Sequence, residues 1–411
     1  MTAFALSVYV YQTTGSVSLV SVIAMASFLP TILLSPFGGV LADRYDRRLM
    51  MIIGDLFSGL GLLYVLWNIH IGTESMLPII AGVTFNAVFV ALLEPSFKAT
   101  VTDLLTADEY AKASGMVQIA GNARYLISPA LAGVLLAVSD IRFILLLDIC
   151  TFFITITTVA LVRKSIGKPT PRERQSTLAE MKEGFAVLKQ SRGISSLIML
   201  MAFVCFFVGF LQTLVSPMVL AVSDAKTVGI LESVCAVGML VGSVIIGVLG
   251  IRGSYVRTLS LAGMAASIFM AVSGVSVNLP VTGMGIFLFF LVLPFLNTSA
   301  DVLVRSNVAA EVQGRVWGII SLLSQAGTAV AYALSGVLAD HIFEPLLAKQ
   351  GALAGSIGKL IGTGQGRGIG FMLILSGIFM LPAAFAIRRS KNIKKLQEAV
   401  SKEENHVPEA S

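Results

Sequence analysis

The chain has 411 residues, of which 56% are hydrophobic and only 13% are charged. Its mean hydropathy of +0.87 excludes a water-soluble globular protein, since an average soluble domain carries about twice this share of charge. The formal net charge of +6 suits either a nucleic-acid-binding protein or a membrane protein with basic cytoplasmic loops, and the position of the charges distinguishes the two.

Apolar runs long enough to cross a bilayer, at about 20 residues per crossing, occupy most of the chain. They lie at about 18–41, 49–68, 77–98, 114–138, 142–162, 195–221, 228–250, 257–277, 281–304, 316–339 and 368–387. A further segment, Met1 to Tyr11, is apolar but has only about half of the required length. We therefore expect an all-helical integral membrane protein with about eleven complete spans and an incomplete first helix.

The basic residues fall mainly on one side of the membrane if the spans alternate in direction. They cluster around 44–48, 163–192, 252–257 and 388–395. By the positive-inside rule this side is cytoplasmic, and it also holds the C-terminus. Because topology accounts for the excess positive charge, no nucleic-acid partner is expected.

The longest inner connection divides the chain near its middle. A capping-box pattern at 177–180 opens a short amphipathic segment in this connection, which predicts a helix at the membrane surface, with a mobile charged linker as the alternative. The predicted organisation is an N-terminal helix bundle at 1–162, the linker at 163–194, a C-terminal bundle at 195–389 and a charged cytoplasmic tail at 390–411.

An internal repeat supports this division. The sequence ALAGVL at 130–135 returns as ALSGVL at 333–338, an offset of about 200 residues. Two parallel six-helix halves, related by an axis along the membrane normal, are the arrangement of major facilitator transporters.

The inner loop after the second apolar segment carries the sequence GGVLADRYDRR at 38–48. It resembles G-x-L-A-D-R-x-x-R-R, the motif A signature of the major facilitator superfamily. Gly39 permits close approach of a neighbouring helix, and Asp43 can cap a helix end. Arg44, Arg47 and Arg48 can bind carboxylates or inner-face carbonyls. The alternative is a plain positive-inside loop.

Asp103, at the inner end of the fourth segment along the chain, is the leading carboxylate partner for these arginines. Such charge-assisted contacts would hold the inner gate of a transporter shut. We therefore expect motif A to control conformation without touching the transported molecule.

Further stretches resemble the drug:proton antiporter branch that contains macrolide efflux pumps and siderophore exporters. They are FLP at 28–30, PSFKA at 95–99, YLISPA at 125–130, EMKEGFAVL at 180–188 and GRV at 314–316. The resemblance implies a transporter, not an enzyme, that exports small molecules by alternating access and is driven by the proton gradient, without a cofactor.

Charged residues inside spans are functional candidates, because placing a charge in the membrane costs several kcal/mol unless it is paired or hydrated. Arg124 and Asp148 lie at depths that agree within about 5 Å, so they can meet in the cavity or form a structural salt bridge. Glu94 either faces the cavity or pairs with Lys98 four residues later. We expect Asp148 or Glu94 to carry the coupling proton, with Arg124 tuning it.

Two other features inside or beside the spans have local interpretations. Pro129 bends the fifth helix, as a gating element or as an ordinary membrane-helix kink. Asp301 and Arg305 are spaced to neutralise each other on one helix face.

Several other site classes find no support in the sequence. The glycine-rich run at 362–368 follows no predicted strand, so we interpret it as a connector. The sequence contains no G-x-x-x-x-G-K-[ST] run, which argues against an ATP-driven pump. The histidines offer no metal cluster, and the cysteines lie inside apolar runs.

Taken with the resemblance, the 24 Phe and 16 Met residues favour adaptable binding of bulky amphipathic molecules such as macrolides. We expect a monomer in the cytoplasmic membrane whose partners are small-molecule cargo, protons and the lipid bilayer. The alternatives are a siderophore or lysophospholipid exporter or flippase, and a non-transporting membrane sensor or assembly partner.

Overall fold

The computed structural model describes residues 1–73, 75–104, 127–161, 191–251, 253–276, 278–308 and 310–404, and within them every regular element is a helix. The first six helices are α1 (Thr2–Thr14), α2 (Val17–Arg44), α3 (Arg47–His70), α4 (Leu77–Leu104), α5 (Ile127–Val138) and α6 (Ile141–Leu161). The remaining long helices are α7 (Arg192–Leu220), α8 (Ala225–Leu249), α9 (Tyr255–Val275), α10 (Leu279–Arg305), α11 (Ala310–Leu338), α12 (Arg367–Arg389) and α13 (Lys391–Glu404).

Among the described residues, nine helices are long and apolar enough to cross a membrane. Two shorter apolar helices, Leu77–Leu93 within α4 and Ile127–Val138, lie between them in sequence. These segments follow the predicted apolar runs in order, so the prediction of an all-helical, multi-pass membrane protein is confirmed. The first helix, α1, has 13 residues.

Short acidic side chains fix the starts of two membrane helices. Asp46 accepts hydrogen bonds from the backbone N–H groups of Arg48 and Leu49, at 2.9 and 3.4 Å, and so caps α3. Asp224 accepts from the backbone N–H of Thr227 at 2.8 Å at the start of α8. Such caps satisfy N–H groups that have no partner inside a helix.

The chain forms two compact units, and α8 contributes to both. The first comprises Met1–Glu173 with Ser223–Ser233. In it, α3 packs against α4 and α6, α2 packs against α4, and α1 packs against α2 and α6. Its core is apolar, and includes Leu6, Ile23, Leu62, Ile79, Ile144 and Leu145.

The second unit comprises Arg174–Val222 with Val234–Ser411. In it, α9 packs against α10 and α12, and α7 packs against α11 and α13. Ile393 and Leu396 of α13 are buried in the same apolar cluster as Leu197 and Leu303, so the C-terminal helix covers one end of this bundle. The predicted surface helix of the linker falls at 177–188, outside the described residues, and the predicted bundle boundaries stay a prediction.

Candidate functional site

The motif A sequence spans the turn between two membrane helices. It begins inside α2, which ends at Arg44, and continues into α3, which begins at Arg47. The Nε of Arg48 donates to the carbonyl oxygen of Val159 near the end of α6, at 2.9 Å. The surroundings of the other predicted gate residues are outside the described part of the chain; these residues are Gly39, Asp43, Arg44, Arg47 and Asp103.

The Arg48 contact joins two helices that are distant in sequence. A guanidinium at a helix C-terminus binds carbonyls that have no partner within the helix and is attracted by the negative end of the helix dipole. Arg48 thus binds a carbonyl at the end of α6, and its role in an inner gate stays a prediction. Sequence reasoning missed Asp46, whose position before a helix start was the available signal.

The predicted proton-coupling residues are only partly described. Asp148 lies in α6, is half-buried, and its Oδ2 accepts a hydrogen bond from the hydroxyl of Thr2 in α1. Glu94 lies in α4, but its side chain is outside the described part, and Arg124 is outside the described residues altogether. The proposed meeting of Arg124 and Asp148 therefore stays a prediction.

Asp55 in α3 is a buried carboxylate that the sequence reasoning missed. It is only 4% exposed, and its Oδ2 has no hydrogen-bond partner among the described residues. A single Asp inside the otherwise apolar run at 49–68 was the signal that could have identified it, because ionisable residues in spans are rare and functional by default.

Pro129 lies in α5 where this helix meets the start of α8, inside the first unit. A Cβ added to Gly229 would come within 2.4 Å of the Pro129 carbonyl oxygen, and one added to Gly133 within 2.8 Å of the Ala225 carbonyl oxygen. The two helices therefore approach through glycines with no room for a side chain. The kink at Pro129 stays a prediction.

Two charged residues at helix ends lie in the other unit, a buried Arg367 and a half-buried Glu344. Arg367 is 2% exposed, and its Nη2 donates to the carbonyl oxygens of Gly274 and Val275 at 2.9 and 3.1 Å. Glu344 accepts from the backbone N–H groups of Gly366 and Ile369 at 3.2 and 3.1 Å. The glycine-rich run is thus the hydrogen-bonded start of α12, and a carboxylate occupies the N–H groups that a phosphate would need.

Two other expectations concern charged groups. The Nε of Arg305 donates to Oδ2 of Asp301 at 2.7 Å, which confirms the predicted pair on α10. In the described ranges no three His, Cys, Asp or Glu side chains come together in a way that could hold a metal ion.

Residues 1–332 match the family model described as Major Facilitator Superfamily. Macrolide efflux protein A of Streptococcus pyogenes is 28% identical over 348 residues, which cover 81% of this chain and 84% of that protein. Enterobactin exporter EntS of Citrobacter koseri is 25% identical over 314 residues, which cover 73% of this chain and 72% of that protein.

Solved transporters share the fold. The nucleoside transporter NupG aligns with a TM-score of 0.73 and 10% identity, covering 93% of this chain and 94% of that chain. A bacterial homologue of the lysosomal transporter Spinster aligns with a TM-score of 0.68 and 14% identity, covering 96% and 98%. The chain therefore belongs to the major facilitator superfamily, as a multi-pass membrane transporter and not an enzyme.

Proposed function

We propose that the protein is a proton-coupled exporter of bulky amphipathic molecules of the macrolide class. The observation that carries this proposal is the similarity to macrolide efflux protein A along four fifths of both chains. The carboxylates of the first unit inside membrane helices support proton coupling, since Asp55 and Asp148 are groups that can bind and release a proton.

The mechanism that we propose is alternating access between two six-helix halves, with bundles at 1–162 and 195–389. Proton and cargo bias the two conformations oppositely: a carboxylate deprotonated towards the cytoplasm favours cargo binding, and protonation from outside favours release. The candidates that the sequence offers for carrying the proton are Asp148 and Glu94, with Arg124 as the residue that tunes it, and we assign the inner gate to the motif A residues.

The orientation and setting follow from the charge pattern. We place the basic ends of the helices and the C-terminus in the cytoplasm, with the protein in the cytoplasmic membrane as a monomer. Arg388, Arg389, Lys391, Lys394 and Lys395 are exposed around the junction of α12 and α13, as the positive-inside rule requires for a cytoplasmic end.

A second cargo class has a specific observation in its favour. The similarity to enterobactin exporter EntS extends over about three quarters of this chain, so a siderophore is the leading alternative cargo. The same fold and the same gate would serve both cargos, because cargo choice depends on the side chains that line the cavity.

The test is drug accumulation in a bacterium that lacks its own efflux pumps. Cells that express the chain should accumulate less labelled erythromycin than cells with an empty vector, and an uncoupler should remove the difference. Lys359→Gln, a change at an exposed lysine, serves as the control for expression and should behave as the wild type. Unchanged accumulation of macrolides together with measurable siderophore export would move the assignment to the alternative cargo.

A further inference from the structure

Asp55 is more completely buried by the protein than the other described acidic residues of the membrane helices. Its exposed fraction is 4%. Its Oδ2 accepts no hydrogen bond from the described residues. Among the described residues, this carboxylate has lost its hydration without gaining a compensating cation or donor, which is the costly case for a buried charge.

Asp55 belongs to the buried face of α3. Met51, Asp55, Ser58, Leu62 and Val65 are all buried, and their spacing of three or four residues places them on one side of the helix. The Asp55 side chain is therefore part of a face that packs against neighbouring helices of the first unit and does not meet the acyl chains.

The contacts of α3 with α4 place Asp55 relative to Glu94. The Nδ2 of Asn86 donates to the carbonyl oxygen of Ser58 at 3.0 Å, and a Cβ added to Gly54 would contact the side chain of Leu93 at 2.9 Å. The two helices are antiparallel. In this register, Glu94 lies about one helical turn nearer to the N-terminal end of α3 than Asp55 does.

The contacts of α3 with α6 place Asp55 relative to Asp148. Arg48 contacts Val159 at 2.9 Å, and Arg142 contacts the carbonyl oxygen of Ile69 at 3.4 Å. Asp148 therefore comes about six residues, or roughly 9 Å, further towards the end of α3 than Asp55. Measured along the axis of α3, Asp55 therefore lies between Glu94 and Asp148.

The helices packed against α3 are α2, α4 and α6. Their charged or titratable groups are Asp43, Arg44, Glu94, Lys98, Asp103, Arg142, Asp148 and Cys150. Of the two charged side chains among these that are described, Arg142 donates to Ile69 near the far end of α3, and Asp148 accepts from Thr2. No described basic side chain of these helices neutralises the Asp55 carboxylate.

We propose that Asp55 is the central proton-binding residue of the transport cycle and holds the coupled proton in the conformation described here. This inference deepens the proposed function and rests on it. The neutral carboxyl group avoids an uncompensated charge inside the bundle. The proton leaves as H⁺ to water, and the carboxylate remains, when the alternate conformation admits water to this face of α3.

The first test compares two kinds of transport of labelled erythromycin in proteoliposomes. Asp55→Asn should reduce accumulation driven by a pH gradient by about tenfold or more, while cargo exchange without a gradient stays within about threefold of the wild type. Asp55→Glu, which keeps a titratable group, should retain part of the driven transport. Asp301→Asn is the matched control, because its carboxylate is exposed to solvent and already paired with Arg305.

Two results of this experiment would overturn the inference. If proteoliposomes with the Asp55→Asn variant still accumulate erythromycin with the wild-type pH dependence, the proton binds elsewhere. A folded Asp55→Asn variant that loses exchange and driven transport equally would make Asp55 a residue that positions cargo or structure, not one that couples the proton.

The second test needs no cargo, so it separates this inference from the proposed function. Infrared difference spectra of the purified protein at neutral pH, wild type minus Asp55→Asn, should contain the carbonyl stretch of one protonated carboxyl group. If erythromycin is not transported but this band is present, the proposed cargo fails and proton binding at Asp55 stands. Absence of the band would overturn the inference whatever the cargo.

Discussion

At the scale of single residues, the second unit uses a buried and a half-buried charged side chain to close helix ends. Arg367 binds the last carbonyl groups of α9, and Glu344 binds the first N–H groups of α12. Each charge lies at the end of the helix whose dipole favours it. The buried guanidinium is thus part of how α9 and α12 are held together.

Arg367→Met should destabilise the protein by about 1–3 kcal/mol, because the carbonyl oxygens of Gly274 and Val275 would lose their donors in a buried place. Thermal unfolding in detergent measures the change. Lys359→Met, an exposed change in the connection that leads to α12, is the control and should leave the unfolding temperature in place. Equal temperatures for both variants would contradict the structural role of Arg367.

Asp224 gives stability a small dependence on pH. The Thr227 hydroxyl and backbone N–H donate to its carboxylate at 2.7 and 2.8 Å and hold the pKa of Asp224 below its ordinary value of 3.8. Because the folded-state pKa is the lower one, this stabilisation is present above the ordinary value and is lost as the pH falls through the folded-state pKa. The effect is limited, since the side chain is exposed to solvent.

Asp224→Asn keeps a good helix cap but removes the titration. The unfolding temperature of the wild type should therefore fall towards that of the variant as the pH drops below about 4. Unfolding curves collected across the acidic range measure this difference. Parallel pH profiles for the two proteins would show that Asp224 has the same pKa in the folded and unfolded states.

At the scale of helices, the close crossings depend on which glycine faces a neighbour. In α8, a Cβ added to Gly242 would come within 2.2 Å of the carbonyl oxygen of Leu291 in α10, whereas one added to Gly247 would meet nothing within 4 Å. Gly242→Ala should destabilise the protein by about 1–3 kcal/mol through overpacking. Gly247→Ala should be neutral or stabilising by up to about 1 kcal/mol, because alanine favours the helix.

The two variants form a matched pair, with the same substitution on the same helix five residues apart. Thermal unfolding and the yield of monodisperse protein in detergent measure the outcome. Equal effects of the two substitutions would contradict the crossing of α8 and α10 at Gly242.

Helix positions could be predicted from the sequence, but helix ends and neighbours could not. Hydropathy measures what can lie in a bilayer, so the run at 77–98 marked α4, while the helix itself continues to Leu104 because backbone hydrogen bonds do not depend on hydropathy. The glycine-rich run at 362–368 looked like a simple connector. Its role as a helix start depends on Glu344, a partner about 20 residues away that no local pattern identifies.

The same limit applies to the candidate site. The pair of Asp301 and Arg305 was predictable because both side chains lie on one helix at a fixed spacing. The motif A arginines were predictable as donors, but the acceptor of Arg48 is 111 residues away. Asp55 was identified only once its burial was known, because burial depends on how α3 is rotated against α4 and α6.

At the scale of the whole molecule, we expect motif A to control conformation. Asp43→Asn or Arg47→Ala should reduce the rate of transport, because the inner gate loses a contact, while cargo affinity stays within about threefold, under 1 kcal/mol. Transport rates and cargo binding to purified protein measure the two quantities. Lys349→Gln, at an exposed lysine far along the chain, should change neither. Normal turnover with a large loss of affinity would place motif A in the cargo site.

The proposed mechanism requires that a proton gradient alone drives cargo across the membrane. Purified protein in proteoliposomes, with an imposed pH gradient and no other source of energy, provides the test. Labelled erythromycin should move opposite to the flow of protons, and inverting the gradient should reverse the direction of its net movement. Movement of erythromycin only down its own gradient, unaffected by the sign of the pH gradient, would contradict the claim.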